Sequence, residues 1–457
     1  MSRADRSSLP VVGPDPHFIF PTIVRHTLAN GLQVRTIEHT SVPVISFVLQ
    51  VDGGSGADPA GQEGLAAIVA DMLDEGTGGL TALDVSDALA RIGADYNLDV
   101  GADATVLTLT VVSRFAARAA SLLADFVIRP SLHDDDFTRV RQLRLDRLRQ
   151  LRDLPPAVAE RAFVRLMYGD HPYGHLAIGN DRALGALTLD DVSAFHRAAF
   201  GPDRATLVVA GAASHDELLR LAEDAFAAWR SHGMTPPRAA VDIAIPDQPP
   251  LRLAVVPRDG AAQSELRVGH LSARRNTPDY PALLVMNAIL GGQFVSRINL
   301  KLREEKGYTY GARTGFDWRR GLAPFGVHAS VYTAATADAV KDVFDELEGI
   351  ATTRPPSEQE MMLARASLTR GYPRNFETAQ HVARAVGQLA LFGLPDTYFE
   401  EFGPKVNAVT ARDVVRVAET YLSTSKLTTL IVGDHAAIAD SLNALGWGAP
   451  TVLAAEM

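Results

Sequence analysis

The chain is 457 residues long, which allows roughly two to four domains with large cores, and its 47% hydrophobic and 21% charged content is typical of a globular protein. A formal net charge of −10 disfavours nucleic acid as a partner, because phosphates would be repelled at long range. There is no cysteine, so disulfides and thiolate metal sites are excluded.

The N-terminus, MSRADRSSLPVVGPDP, has no apolar core of signal-peptide length, and no later stretch is apolar for long enough to span a membrane. We therefore expect a cytoplasmic protein, or a periplasmic one if a leader has been removed. The segment 139–152 is basic on one side of a predicted helix. Such a face can contact membranes or nucleic acid, but a solvated face or an acidic protein partner is the simpler interpretation.

Local patterns predict a mixed helix and strand domain in the first half. A flexible, proline-containing lead to about Pro21 precedes a hairpin around Asn30-Gly31, a dipeptide typical of tight β-turns. Predicted strands cover 23–28, 32–37, 42–51, 95–98 and 105–112, and predicted helices cover 64–75, 82–92, 116–127 and a longer segment from about 134. The residues Gly53-Gly54-Ser55-Gly56 are expected to form a mobile loop.

The second half repeats the first. A helix start at Thr410 lies 222 positions after one at Thr188, and the strands predicted at 205–211 and 427–433 are related by the same offset. A repeat of this length indicates a duplicated domain. Residues 231–250 contain five prolines and form the predicted linker. We expect an α+β protein with two homologous domains of about 220 residues: a lead at 1–21, a first domain at 22–230, the linker, and a second domain at 251–450.

The stretch from Gly291 to Gly311 reads GGQFVSRINLKLREEKGYTYG. Apolar spacing predicts a helix over 296–306, which Gly307 ends because glycine takes a left-handed C-cap at little cost. Tyr308-Thr309-Tyr310 favours a β-strand. Such a corner could bring Arg303 and Tyr310 to one point, where both can donate to a carbonyl oxygen. On spacing alone, an ordinary surface arginine and a half-buried tyrosine are the better interpretation.

These residues resemble a known signature. LREEKGYTYG, following GG-x-F-x-S-R-x-N, is similar to the C-terminal-half signature of the pitrilysin/mitochondrial processing peptidase family of zinc peptidases. The resemblance implies that Arg303 and Tyr310, with Tyr308 as the alternative to Tyr310, grip the peptide backbone near the scissile bond. It also implies a clam-like subunit of two similar halves, which agrees with the repeat, and a peptide-guiding role for the glycine-rich loop at 53–56.

The first half lacks the residues with which such a peptidase binds zinc. Active members carry H-x-x-E-H on a helix, in which two histidines bind zinc and the glutamate is the general base. In the matching segment, GLAAIVADMLDEGT, the histidines fall at Ala67 and Asp71 and the base falls at Ala70. The family's third ligand, a glutamate further along the chain, falls at or near Arg147. These four changes predict that the chain builds no zinc site and holds no cofactor of its own.

The segment His171-Pro172-Tyr173-Gly174-His175 also has the histidine spacing of a helical zinc site, but its proline and glycine predict a loop. It resembles a structural corner of the same family, so metal binding is not expected there. The sequence contains no G-x-S-x-G elbow and no P-loop.

The resemblance implies a zinc-free partner subunit of a heterodimeric, bacterial-type metallopeptidase, inactive when alone. A homologous chain with H-x-x-E-H would hold the zinc and the general base, while Arg303 and Tyr310 would bind and polarise the peptide substrate. The alternative is a non-catalytic structural or binding subunit like the core proteins of respiratory complexes, which share this fold. Such a subunit has no need to keep both Arg303 and Tyr310.

Overall fold

The computed structural model describes residues 18–235, 237–246 and 251–454. Within these residues, two six-stranded sheets form, one in each half of the chain, and helices pack on both faces of each sheet. The predicted α+β fold with two similar domains is confirmed. No described helix combines the length and the hydropathy needed to span a lipid bilayer.

The elements of the first half begin with the predicted hairpin. Its strands are β1 (Val24–Thr27), β2 (Gln33–Glu38), β3 (Val44–Asp52), β4 (Gly76–Thr77), β5 (Leu80–Thr81), β6 (Asp95–Val100), β7 (Ala104–Val112) and β8 (Ala205–Gly211). Its helices are α1 (Leu65–Asp71), α2 (Ala82–Arg91), α3 (Ala116–Ile128), α4 (Asp134–Arg152), α5 (Pro155–Tyr168), α6 (Asp181–Ala186), α7 (Leu189–Ala199) and α8 (His215–Phe226).

The second half follows the linker, of which residues 236 and 247–250 lie outside the described part. Its strands are β9 (Ala254–Pro257), β10 (Gln263–Leu271), β11 (Ala312–Phe316), β12 (Pro324–Tyr332), β13 (Thr428–Gly433) and β14 (Thr451–Val452). Its helices are α9 (Tyr280–Leu290), α10 (Arg297–Asn299), α11 (Thr336–Gly349), α12 (Glu358–Thr369), α13 (Ala379–Phe392), α14 (Tyr398–Ala408), α15 (Ala411–Tyr421) and α16 (His435–Asn443).

The two sheets share one topology. Their strand orders are β1-β2-β8-β3-β7-β6 and β11-β12-β10-β13-β9-β14, so β3 and β10 occupy equivalent central positions. The helices that precede β8 and β13 start at Thr188 and Thr410, each with a capping box in which threonine and the aspartate three residues later satisfy each other's backbone N–H groups. The repeat in the sequence therefore corresponds to a repeated fold.

Each half supplies one helix that covers the sheet of the other half. Helix α13 packs on β3 and β8, where Val386 belongs to one buried cluster with Val48. Helix α5 packs on β10 and β13, where Phe163 and Leu430 share a second cluster. Because an open sheet must cover both faces to bury its apolar side chains, neither half completes its core alone.

The turn after β3 differs from the mobile loop that the sequence predicted. Gly53, Gly54, Ser55 and Gly56 are all buried. The N–H groups of Ser55 and Gly56 donate to the carbonyls of Gly101 and Ala102, each at 2.9 Å. A Cβ at Gly54 would lie 2.1 Å from the Gly101 oxygen, so glycine is required for this close approach. The expectation of an open, mobile, peptide-guiding loop is wrong.

Two other local predictions also differ. Helix α1 ends at Asp71, one turn before the predicted end at Glu75. The end of the lead, which was expected to be flexible to Pro21, packs against the second half, because the Phe20 ring lies 4.5 Å from that of Phe399 and 5.1 Å from that of Phe376. Residues 1–17 of the predicted lead lie outside the described residues.

Candidate functional site

Helix α1 carries the segment that the resemblance matches to a zinc-binding helix, and Asp58 fixes its start. The Asp58 carboxylate accepts hydrogen bonds from the N–H groups of Gly64 and Ala66 at 2.7 Å each, which satisfies donors at the helix N-terminus. The same carboxylate lies 3.0 Å from His175 Nε2, and its side chain is fully buried. His175 therefore stabilises the start of α1 indirectly, through its buried contact with Asp58. His171 is engaged elsewhere, with Nδ1 accepting from the Tyr173 N–H at 3.0 Å.

The three motif positions on α1 present no set of metal ligands. Ala67 and Ala70 are buried methyl groups, 2% and 0% exposed. Asp71 keeps a carboxylate, but the guanidinium of Arg144 on α4 occupies it, with Nε donating to Asp71 Oδ2 at 2.8 Å. Arg144 Nη2 also donates to the Ala67 carbonyl at 3.1 Å. A fixed positive charge thus contacts both positions where the histidines would bind zinc.

The sequence placed the third ligand position at or near Arg147, and the structure places Arg147 on the exposed side of α4, donating to Gln150 at 3.1 Å. The α4 side chain that contacts α1 is Arg144, three residues earlier. The sequence contained the information to identify Arg144 as the residue that faces α1. Val140, Arg144 and Leu148 are spaced four residues apart and so share one helical face. Val140 and Leu148 are both buried.

The residues present do not fit a zinc ion. Within the described residues, no group of three or more histidine, aspartate or glutamate side chains is placed to hold a metal. Burial raises the pKa of Asp71, and Arg144 opposes that shift. Burial, together with the like charges of Glu75 and Asp71, raises the pKa of the nearby Asp74 to about 6. Asp71 is thus paired with an arginine, and Asp74 is a buried carboxyl group beside two like charges.

The segment that carries Arg303 is anchored at its start. Helix α10 begins at Arg297 and continues as a π-helical turn over Leu300–Glu305, a geometry that is rare and frequent at functional sites. Arg297 donates to both oxygens of Glu360 at 2.6 and 2.9 Å, a bidentate pair with α12. Ile298 and Leu302 are fully buried in the second core.

The glycines and the asparagine of the motif also serve the fold. Asn299, 4% exposed, donates to the Phe294 carbonyl at 2.7 Å and accepts from the Ala312 N–H at 2.9 Å, which ties the loop before the helix to β11. A Cβ at Gly291 would lie 2.6 Å from Thr314, so only glycine fits there. Most of the motif therefore has a structural explanation.

Arg303 and Tyr310 are the exceptions. Tyr310 is 91% exposed, and no described residue donates to or accepts from its hydroxyl. The Arg303 side chain is 36% exposed; its Cζ lies 4.5 Å above the Phe294 ring, and its Nε lies 3.4 Å from Glu304. No hydrogen bond or ion pair among the described residues joins Arg303 to Tyr310. The Tyr310 hydroxyl is free for a ligand, and the Arg303 guanidinium has further N–H donors beyond the one that faces Glu304.

The predicted strand at Tyr308-Thr309-Tyr310 is wrong, because β11 begins only at Ala312. The Tyr308 N–H donates to the Leu302 carbonyl at 2.8 Å, which ties it to the helix end rather than to a sheet. Thr309 Oγ1 accepts from the Gly311 N–H at 3.1 Å and turns the chain. Gly307, with φ 64°, ends the helix as predicted. Tyr308 packs inward while Tyr310 points outward, so Tyr308 is the poorer candidate for ligand contact.

The fold and these two regions define a class of protein: a duplicated α+β protein with a peptidase signature in its second half and, among the described residues, no metal-ligand set at the matching place in its first. Residues 33–180 match the family described as Insulinase (Peptidase family M16), and residues 186–368 match the one described as Peptidase M16 inactive domain. The chain belongs to peptidase family M16, the pitrilysin/mitochondrial processing peptidase family that its motifs predicted.

Relatives are similar over most of their length. An uncharacterized zinc protease of Mycobacterium tuberculosis is 26% identical over 90% of this chain and 93% of its own. A probable mitochondrial-processing peptidase subunit beta of Schizosaccharomyces pombe is 22% identical over 91% and 92%. The crystal structure of a peptidase M16 inactive domain from Pseudomonas fluorescens has the same fold, with TM-score 0.83 and 24% identity over 90% of this chain and 98% of that one.

Proposed function

We propose that this chain is the zinc-free subunit of a heterodimeric M16 peptidase, in which Arg303 and Tyr310 contact a peptide held at the zinc site of a homologous partner. The observation that carries the proposal is the exposure of Tyr310, 91%, between neighbours that are fixed to the fold. A phenol placed this way contributes little to stability, so its position is better explained by a ligand.

The chemistry of the two side chains suits peptide binding. The Arg303 guanidinium carries a permanent charge and several N–H donors, and the Tyr310 hydroxyl can donate one hydrogen bond. Both can point donors at a carbonyl oxygen that gains negative charge during hydrolysis, and donors aimed at developing charge stabilise the transition state. In the partner, a bound zinc ion would supply the activated water and the Lewis acid. The Phe294 ring restricts the Arg303 guanidinium through a cation–π contact.

Two findings support the split between subunits. Arg144 contacts the two α1 positions where metal ligands would be needed, which favours a zinc site in another chain. One relative with this overall length is named as a subunit, and several are named zinc proteases. A partner that retains H-x-x-E-H would supply the zinc ion and the general base, and this chain would supply the hydrogen-bond donors of Arg303 and Tyr310.

The test is reconstitution of the purified chain with a homologous H-x-x-E-H subunit from the same source, followed by peptide cleavage assays. Arg303→Ala should lower kcat/KM about ten- to a hundred-fold, the usual effect of losing a charged hydrogen bond. Tyr310→Phe should act chiefly on kcat, because its hydrogen bond strengthens as the carbonyl oxygen gains charge. Tyr308→Phe is the matched tyrosine control, and Arg118→Ala, an exposed arginine on α3, is the matched arginine control.

Dimer mass by light scattering and zinc content should be unchanged in all four variants. If the two chains stay separate at micromolar concentration and no activity appears, the partner proposal fails. If the dimer forms but both main substitutions leave kcat/KM within about twofold of the parent, the alternative of a structural or binding subunit replaces it.

A further inference from the structure

A cavity of about 420 Å³ lies between the first sheet and α13, and the Asp317-Trp318 turn of the second half closes one side of it. We call it the seam cavity, because both halves line it. Its volume falls within the roughly 300–1,000 Å³ typical of small-ligand sites. Val48, Trp318 and Phe392 give it apolar and aromatic walls.

A buried amide faces this space without a partner. Gln50, on β3, is 4% exposed and lines the seam cavity. No described residue donates to or accepts from its side chain. Its amide oxygen and nitrogen remain accessible from the cavity, so water or a ligand can form hydrogen bonds with them. Gln50 therefore has capacity for one acceptor and one donor group from a bound molecule.

A glycine opposite Gln50 keeps the space open. Gly387 lies inside α13 and does not have a positive φ, so its backbone does not require glycine. A Cβ at this position would lie 3.7 Å from Gln50 Oε1 and 3.7 Å from Val48 Cγ1, which are ordinary contact distances. Glycine inside a helix is less stable than alanine. The fold thus tolerates a methyl group here, and what glycine adds is room next to the Gln50 amide.

The charged groups around the seam cavity already have partners among the described residues, so its free polar groups are two neutral amides, the buried Gln50 and the exposed Gln388. The pairs are Arg384 with Thr108 and Asn97, Asp103 with the Arg320 N–H, and Asp317 with Arg319. Three aspartates, at 99, 103 and 317, line the cavity against one arginine, which disfavours an anionic ligand. An amide offers a donor and an acceptor side by side, which matches the amide of Gln50.

We propose that the seam cavity binds a neutral carboxamide group through Gln50, in the space left by Gly387, with an adjoining aromatic or apolar group against Trp318 and Phe392. This group can belong to a small carboxamide or to a segment of peptide. The proposal does not depend on the zinc-bearing partner or on Arg303, so its test uses this chain alone.

Saturation-transfer NMR and thermal unfolding of the full chain can test it with three probes: benzamide, its acid analogue benzoate, and the capped tripeptide acetyl-Ala-Phe-Ala-amide. Benzamide, the tripeptide or both should bind at millimolar concentration, and which of them binds identifies the source of the amide. Benzoate should bind at least about ten-fold more weakly than benzamide, since it lacks the N–H donor and meets the aspartates.

Gln50→Leu should weaken binding of the probe by about ten-fold, because it removes a hydrogen bond to the ligand amide, and Gly387→Ala should weaken it by a similar factor, because the added methyl group occupies the space beside Gln50. Gly403→Ala, another helical glycine with open space around it, is the matched control and should bind as the parent does. Both glycine variants should have a Tm at or above that of the parent, because alanine favours the helix. Failure of benzamide and tripeptide to bind, unchanged binding in both cavity variants, or a Tm lowered only by Gly387→Ala would overturn the proposal.

Discussion

Replacing Arg144 by methionine tests whether its guanidinium stabilises α1, the helix that carries Ala67, Ala70 and Asp71. Methionine keeps an apolar stem of similar length and removes only the charged group. The substitution deprives the Asp71 carboxylate of its 2.8 Å hydrogen bond and the Ala67 carbonyl of its 3.1 Å hydrogen bond. Asp71 then keeps a carboxylate that is partly buried and close to the carboxyl groups of Asp74 and Glu75.

The expected loss of stability depends on how deeply the Arg144–Asp71 ion pair is buried. Removing one partner of a buried ion pair costs about 3–5 kcal/mol, whereas an exposed pair contributes about 0–1 kcal/mol. The side chains of Arg144 and Asp71 are 15% and 38% exposed, so solvent screens part of the interaction. We expect the free energy of unfolding to fall by about 2 kcal/mol. Adding Asp71→Leu should restore most of it, because no unpaired charge then remains.

The loss should also depend on pH. Arg144 lowers the pKa of Asp71 against the effect of burial, so without the arginine this pKa rises further. A carboxyl group with a raised pKa in the folded state takes up a proton more readily when folded, and stability is then lost as the pH rises. The deficit of Arg144→Met should therefore be largest near pH 7 and smaller near pH 5.

Urea unfolding followed by circular dichroism measures these differences. Arg149→Met is the control on the same helix, since Arg149 is 61% exposed and its ion pair among the described residues is a surface pair with Asp146. If Arg144→Met costs no more than this control, or if the double variant with Asp71→Leu equals the sum of the single variants, Arg144 does not substitute for a metal in holding α1.

Three further predictions follow from the structure. Because α5 of the first half packs on the second sheet and α13 of the second half packs on the first sheet, both halves should unfold in one cooperative transition. Two separated transitions in thermal or urea unfolding would contradict this. Asp74→Asn should raise the free energy of unfolding at pH 7 by about 1–2 kcal/mol. The raised pKa of Asp74 means that the parent protein loses stability as the pH rises from about 4 to 6, and asparagine removes this loss. An unchanged pH profile of stability would contradict this. The purified chain alone should cleave no peptide and hold no stoichiometric zinc by elemental analysis, and one tightly bound zinc per chain would refute this.

Features that depend on local physics were predictable from the sequence. The hairpin at Asn30-Gly31 forms, and Gly31 has the positive φ of 95° that glycine favours. The helix starts at Thr188 and Thr410 rest on threonine and an aspartate three residues later, which are visible in the sequence. The repeat follows, because equal local signals at a constant offset indicate equal folds.

Features that depend on distant contacts were not predictable. Nothing in the sequence of α13 shows that it covers the sheet of the first half, because its apolar face would suit either sheet. The four residues 53–56 have the composition of a mobile loop, and only the close approach of Gly101 and Ala102 buries them. Tyr308 and Thr309 have strand propensity, but the hydrogen bonds of Tyr308 with Leu302 and of Thr309 with Gly311 hold them in a turn instead.

The two halves use their polar groups in opposite ways, and this contrast favours the proposed role. Around α1, hydrogen bonds and ion pairs within the chain occupy the carboxylates of Asp58 and Asp71 and the guanidinium of Arg144, so these groups have little left for a ligand. In the second half, the side chains of Arg297 and Asn299 form hydrogen bonds that fix the segment 297–312 to the fold, whereas the Tyr310 hydroxyl is exposed to solvent. A binding group must keep its hydrogen-bonding capacity free and its backbone fixed. Among the candidate positions that the sequence singled out, the segment from Arg303 to Tyr310 meets both conditions, and α1 meets only the second.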